Sequence, residues 1–494
     1  MIIKTNQDEI QNYLSDASNF SGNCRSVYLP FSELEIIEIL KSCHQTKTKV
    51  TISGNGTGLN GGRVPQGGII ISLELMNKII SFDSTAKTIT VQPGVILKDL
   101  QDYVESKKLF YPPDPTESNC FIGATVATNA SGTRTFKYGP SRDYVEELRI
   151  VIPDGRIINI SRNQFTAKNF NGKLIAEDGS EINFTIPNYK MPKTKNASGY
   201  FCAENMDMID LFIGSEGTLG VISEIKLKLI DLPSSIFSCI VFFNEEINAL
   251  NFIVEARDHS KNDSAENSSK KCDAQGLEFF DFNSLKLLAE KYSQIPAEAK
   301  AAVWFEQELS NNYDFIIDTW MSLINRYNGQ TDKSWFAVNK NDQDKFKEFR
   351  HKIATTVNEI VTKRGLKKVG TDVAVPDKFF VEFYYLCKNK VENHNLDYAA
   401  YGHFGNSHIH LNILPKNLYE YELSQKIYSE ICFEAVERNG TISAEHGIGK
   451  LKRNYLLTMY GESSIKQMAA LKLVFDQNKI LGIGNIFEEK YLNY

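Results

Sequence analysis

The segment GNGTGLNGG at 54–62 constrains this chain most, because five of its nine residues lack a side chain and the flanking text decides which folds remain open. A β-branched run, KVTIS, precedes it. GTGLNG at 56–61 satisfies GxGxxG, and Asp83 stands about twenty residues further on at the end of another strand-like run. A Rossmann unit must open a helix at the third glycine. Here GRVPQGGIIISL puts Pro65, a glycine pair and a β-branched run at that place, none of which sustains a helix. The nicotinamide-dinucleotide reading therefore fails its context test. What remains is a loop whose bare N–H groups form a nest for a pyrophosphate, or a plain glycine-rich surface loop, and this segment alone leaves both open.

At 494 residues the chain exceeds the roughly 250–300 that one hydrophobic core serves, so two or three structural units are expected. Fifty-five Lys plus Arg against 61 Asp plus Glu give a net charge of −6 without a basic stripe, which excludes nucleic acid as a partner. The eight cysteines, at 24, 43, 120, 202, 239, 272, 387 and 432, form no CxxC pair and no zinc or iron–sulfur spacing. They read as thiols of a reducing compartment. The start, MIIKTNQDEIQNYL, is neither a signal peptide nor a presequence, and no run approaches the ~18 apolar residues of a membrane span. A cytoplasmic protein, at most peripheral to a membrane, is expected.

Periodicity predicts helices over SELEIIEILKSCH and LKDLQDYVESKKL, short strands at KVTIS, GGIIISL, KIISFD and KTITVQPG, and a hairpin turned by PDG in YVEELRIVIPDGRIINI. The fold class is α+β. A first domain at 1–230 carries a polar insertion at 160–205, DLPSS serves as hinge, a second α/β unit fills 231–435, and a last segment covers 436–494. ARDHSKNDSAENSSKKCDAQG at 256–276 is polar enough to predict a mobile loop. Of the eight histidines, four fall between 403 and 446, which places the chemistry late in the chain.

Three further glycine-dense segments resolve the first loop: YPPDPTESNCFIGATVATNASGTRTFKYGPSRDYV at 111–145, KNASGY at 195–200 and GSEGTLGVI at 214–222. Together with 54–62 they resemble the FAD-binding domain of the vanillyl-alcohol oxidase and p-cresol methylhydroxylase superfamily, closest to its branch of FAD-linked D-lactate and D-2-hydroxyglutarate dehydrogenases. The resemblance implies a two-part FAD-binding domain over 1–230, an α/β substrate (cap) domain over 231–435 and a C-terminal segment returning to the flavin. It implies that Gly54, Asn55, Gly56, Thr57, Gly58, Leu59 and Gly61 wrap the FAD pyrophosphate, where convergent N–H donors and no obstructing side chain are needed. Pro113, Thr116, Gly123, Thr128, Ser131 and Gly132 would line the isoalloxazine and the rest of the path, with Glu216, Gly217 and Ile222 closing over the nucleotide. Asn55 stands where covalent members carry histidine, so the FAD is expected to be non-covalent.

YGHFGNSHIHLNI at 401–413 and GTISAEHGIGKLKR at 440–453 cluster four histidines with a glutamate, which suits a divalent metal with an open position or a set of packed, hydrogen-bonded imidazoles. The branch carries GHxGxxNxHxN and SxEHGxG motifs, and this sequence is similar to both. The resemblance makes His403, His410 and Glu445 ligands of a divalent metal such as Zn or Mn, His446 the catalytic acid/base and Asn412 a substrate contact. Asn406, Ser407 and His408 depart from the pattern, His408 falling at the family's asparagine. Oxidising a 2-hydroxy acid removes a hydroxyl proton while hydride leaves carbon for the flavin, so a cation and a near-neutral base both serve. Arg350 in KFKEFRHKI matches the family arginine that binds the substrate carboxylate bidentately.

The family's residues for a second, distal carboxylate are replaced by Ala354 and Gly370, with Lys367 and Lys368 nearby. The expected substrate is therefore a small D-lactate-like 2-hydroxy acid, with D-2-hydroxyglutarate or an inactive flavin-binding module as alternatives. Gly482 and Ile483 stand where the family has Asn-Pro near the flavin, which favours the inactive reading. The electron acceptor is expected among quinones, cytochromes and electron-transfer flavoproteins, and a homodimer is the oligomer considered.

Overall fold

The two β-branched runs around the glycine loop pair directly. In the computed structural model, which describes residues 1–262, 272–309 and 313–493, Val50–Ser53 and Ile69–Ser72 lie parallel, Val50 opposite Ile69 and Ser53 opposite Ser72. The loop between them contains no helix, as Pro65 and the glycine pair predict. Ser26–Leu29 adds on the other side of Ile69–Ser72 and Ile2–Lys4 closes the edge, giving a four-stranded sheet. Helix Glu33–Thr46 begins at Ser32, whose hydroxyl accepts from the Glu35 N–H, and stops at Lys47 in the left-handed region. Its apolar face, Ile36, Ile39, Leu40 and Cys43, buries against Val50, Ile69 and Ile71.

Five antiparallel strands form a second sheet in the order Ile79–Asp83, Thr88–Val91, Val221–Lys228, Val145–Val151, Ile157–Ser161. The PDG hairpin joins the last two. The insertion at 160–205 looks polar because its hairpin, Asn171–Ile175 with Glu181–Thr185, alternates buried and exposed residues along both strands. Beyond the hairpin it turns inward: the Ala197 N–H donates to the Ser443 carbonyl at 2.9 Å.

Ile236–Phe243 opens an antiparallel sheet of eight strands among the described residues, which continues through Ala301–Glu308, Ala274–Asp281, Tyr398–Gly402 and His408–Ile413. Helix Lys340–Lys363 lays Phe346, Phe349, Ile353, Val357 and Val361 on the face that holds Ile240, Phe242 and Phe280. Arg350 shares that face and is drawn into the interior with it. The ends of the loop predicted at 256–276 are regular structure: 256–262 belong to helix Glu246–Asn262 and 274–276 to strand Ala274–Asp281, while 263–271 lie outside the described residues. Ala256 is buried against the sheet, so apolar contacts carry the helix past its polar outer face.

The chain's last part returns to its first. After helix Arg453–Phe475, interrupted at Gly461, the Val50 N–H donates to the Ile480 carbonyl at 2.7 Å. The buried Lys472 ammonium donates to Asp476 at 2.7 Å, to the Thr218 carbonyl at 2.8 Å and to the Leu481 carbonyl at 2.7 Å. Replacing Lys472 by Met is expected to lower stability by roughly 3–5 kcal/mol, because the Asp476 carboxylate is left buried without its cation. Thermal denaturation followed by intrinsic fluorescence checks this, with Lys472→Met/Asp476→Asn recovering part of the loss; an unchanged midpoint in the single variant would exclude the role.

Candidate active site

The glycine loop is held open by two charged side chains instead of a helix. The half-buried Arg63 donates from Nε to the Ser15 carbonyl at 2.9 Å and from Nη1 to the Gly54 carbonyl at 2.9 Å, and Asp16 accepts the Gly61 N–H at 2.9 Å. The backbone N–H groups of residues 55–59 find no acceptor among the described residues. Such a row of donors facing a cavity is the cradle a pyrophosphate requires. Gly56 has φ +79°, and a Cβ there would lie 2.7 Å from the Arg63 guanidinium carbon, so conformation and space both demand glycine.

Gly54, Asn55, Gly56, Thr57, Gly58 and Leu59 line one wall of a narrow slot, with Gly123, Thr128, Glu216, Gly217 and Ile222 among the residues around it. Thr116 and Ser131 line a second, adjoining cavity of about 1240 Å³. Three of the expected cofactor residues stand outside the linings of both cavities. Gly61 packs on Phe20, Gly132 packs on the Asp114 backbone, and the Pro113 carbonyl accepts from Gln101 at 3.1 Å. The Asn55 amide donates to the Asn119 carbonyl at 2.7 Å.

Glu216 accepts the N–H groups of Ile448 at 2.7 Å and Gly449 at 2.6 Å, which ties the histidine-bearing C-terminal loop to the slot. Burial pushes its carboxyl up to about 7, against the pull of those two bonds. The amide missing at Gly482 has a neighbour: Asn485 donates to the carbonyls of Gly62 at 2.9 Å and Glu216 at 3.0 Å.

His403 follows strand Tyr398–Gly402, His408 and His410 lie in His408–Ile413, and Glu445 and His446 follow in the C-terminal loop. Ligand atoms of His403, His408, His410 and Glu445 lie within 4.8 Å of one another. His403 Nδ1 meets Glu278 at 2.5 Å and its Nε2 meets Glu445 Oε2 at 3.1 Å. His410 Nδ1 donates to the Thr371 carbonyl at 2.9 Å, which leaves Nε2 for the cluster. His410 and His446 stack with ring centroids 5.4 Å apart, and His446 Nδ1 stands 3.3 Å from Asp372 Oδ2.

Burial holds His410 well below the usual imidazole value, with its neighbouring imidazoles adding to the effect, and brings His408 to about 4. For His403 burial is outweighed by the Glu278 carboxylate, and its value rises. His446 is lowered by burial against the opposing Asp372 carboxylate, which favours the neutral base.

Arg350 lines the large cavity with Asn412, but its Nε is bound to the fully buried Glu278 at 2.5 Å. The guanidinium is therefore one link in a buried Arg350–Glu278–His403 chain, and its contact with a substrate falls to its terminal nitrogens. Sequence reasoning missed Glu278, Asp372, Lys195 and Lys452. Glu278 in LEFFD and Asp372 in TDVAV are acids within apolar strand text, a signal that a buried partner is required. Lys195, 2.8 Å from Glu445, sits in a polar segment that carries no such signal.

Residues 25–161 match the family described as "FAD binding domain" and residues 254–486 the family described as "FAD linked oxidases, C-terminal domain". A D-lactate dehydrogenase of Anaerostipes hadrus is 29% identical over 97% of this chain and 93% of its own. The glycolate oxidase subunit GlcD of Bacillus subtilis is 30% identical over 94% of this chain and 88% of its own. Crystalline p-cresol methylhydroxylase shares the fold, with a TM-score of 0.71 at 14% identity over 100% of this chain and 94% of that one. The chain belongs to the FAD-linked oxidase family, and its likeness to p-cresol methylhydroxylase is one of fold. Within that family it falls with the FAD-linked D-lactate and D-2-hydroxyglutarate dehydrogenases.

Gly56→Ala is expected to yield protein with substoichiometric flavin, since a left-handed alanine costs about 1–2 kcal/mol before Arg63 is displaced. The ratio of 450 nm to 280 nm absorbance checks this; a ratio equal to the parent's would count against the cradle.

Proposed function

We propose that the protein oxidises a small D-2-hydroxy acid, D-lactate or a close analogue, to its 2-oxo acid where the two cavities meet. One observation carries this reading: His446 is the titratable residue that lines both cavities among the described residues, and it stands beside the histidine–glutamate cluster. When bound, non-covalent FAD accepts the substrate hydride and a divalent ion, Zn or Mn, supplies Lewis acidity toward the hydroxyl. His403, His410 and Glu445 would hold that ion. His446 keeps Nδ1 toward Asp372 and so presents Nε2 to take the hydroxyl proton. Proton to His446 and hydride to flavin together leave the 2-oxo acid. Terminal nitrogens of Arg350, with Asn412, hold the substrate carboxylate.

His446→Ala is expected to retain FAD while flavin reduction slows by at least ~10²-fold, the usual share of a positioned acid/base. Anaerobic stopped-flow at 450 nm checks it; unchanged rates would remove His446 from the mechanism.

Preference for a monocarboxylate rests on Ala354 and Gly370 lining the cavity, where neither offers a donor to a distal carboxylate. A Cβ on Gly370 would meet Asn412 Oδ1 at 2.7 Å, so the position is closed to a longer side chain. Lys367 lines the same cavity with its ammonium engaged, donating to the Asn19 carbonyl at 2.9 Å. One observation favours a second reading, in which the substrate carries another anionic group. Lys368 lines the same cavity without an acidic partner among the described residues, and burial beside Arg350 lowers its ammonium to about 8.

Stopped-flow reduction by D-lactate and D-2-hydroxyglutarate separates the two. D-Lactate is expected to show the larger rate-over-affinity ratio. If D-2-hydroxyglutarate does, its affinity will fall as pH rises through about 8, where Lys368 loses its proton, and Lys368→Met will abolish that dependence.

A further inference from the structure

We propose that His408 is a fourth protein ligand of the divalent ion, so that this chain binds its metal through three imidazoles and one carboxylate. The inference rests on the metal reading above and extends it to a residue at which the chain departs from its family, whose motif has asparagine there.

The geometry begins with Asp372. Its carboxylate accepts the N–H groups of Glu445 at 3.2 Å and His446 at 3.1 Å, the Ser443 hydroxyl at 2.7 Å and the Lys452 ammonium at 2.7 Å. A group that accepts from every side is an acceptor toward His408 as well, so His408 Nε2, 2.9 Å from Asp372 Oδ1, carries the ring proton. The other nitrogen, Nδ1, then presents a bare lone pair. It is buried and has no hydrogen-bond partner, and it faces Glu445 Oε2 at 3.7 Å, beyond hydrogen-bond reach. A carboxylate that fixes one imidazole nitrogen and thereby aims the other is the standard support of a metal-bound histidine.

The other donors surround the same point. His408 lies with ring centroids 4.2 Å from His410 and 5.3 Å from His403. The four ligand atoms all lie within 4.8 Å of one another, so small side-chain shifts bring them to the roughly 2.0–2.2 Å at which such donors bind a single ion. Glu445 Oε2 also receives the Lys195 ammonium at 2.8 Å, a cation with which the metal competes for that oxygen. Three imidazoles in place of two move the donor set away from the carboxylate- and water-rich shells that suit manganese and toward zinc.

The test uses the full-length flavoprotein loaded with zinc. X-ray absorption at the zinc edge is expected to count three imidazoles in the parent and two in His408→Asn, with the flavin spectrum of the variant reporting an intact fold. Chelator competition should show the zinc dissociation constant of His408→Asn raised beyond the ~10–100-fold that losing an outer-sphere partner costs, with a narrower preference for zinc over manganese. Two imidazoles in the parent, or equal affinity in parent and variant, would overturn the assignment of His408 and leave the three-ligand metal site standing. A parent that takes up neither zinc nor manganese would overturn both. Should the variant fail to retain flavin, the imidazole count of the parent decides alone.

Discussion

The site depends on one buried carboxylate. Asp372, 1% exposed, lies between two short strands that both pair with His408–Ile413, and it reaches across to the loop that carries Glu445 and His446. Taking a carboxylate out of water costs several kcal/mol unless its lone pairs are filled. Here they are filled by two backbone N–H groups, a serine hydroxyl, a lysine and His408. Burial alone would raise its pKa, but the imidazoles and Lys452 hold it well below the usual carboxylate range. The charge therefore persists, and with it the orientation of His408 and His446.

A second chain of charges works in parallel. Glu278 is fully buried between Arg350 and His403, which overcome its burial and keep it ionised. It fixes His403 from the side opposite Glu445, while Arg350, which lines the large cavity, is anchored through its Nε. The two networks meet at Glu445, which faces His403, His408 and Lys195. Removing one member leaves an uncompensated buried charge, so these residues behave as a unit in stability as well as in chemistry.

The slot is joined to this centre through backbone. Glu216 grips Ile448 and Gly449, Asn60 donates to the His446 carbonyl at 2.9 Å, and Lys450 donates to Asn485 at 2.6 Å. A Cβ on Gly449 would stand 2.2 Å from the Asn60 carbonyl oxygen, so the two loops touch main chain to main chain. The cofactor loops and the histidine loop thus form one surface although nearly 400 residues separate them in the chain, and His446 lies where they join.

Much of this was legible in the sequence, because local signals are short-ranged. Pro65 and the glycine pair forbade the Rossmann helix, alternation marked the strands, PDG turned a hairpin, and two histidine motifs marked the histidine–glutamate cluster. Individual residues were harder. Gly61, Pro113 and Gly132 share the composition of the lining loops yet stand outside both cavities, and a glycine in close backbone packing reads like one that faces a cavity. The polar text at 256–262 hid a helix whose buried face is set by a sheet elsewhere in the chain. What the sequence by itself determined was the set of elements, the open glycine loop and the residue types of the site. Only the tertiary structure decided that Asp372 and Glu278 orient the histidines, that Arg350 is shared with a buried glutamate, that Lys368 lines the cavity and that His408 Nδ1 is buried beside Glu445 without a hydrogen-bond partner. Those facts depend on which buried charges find partners, and the partners are brought together by sheets and loops distant in sequence, where no local pattern records the pairing.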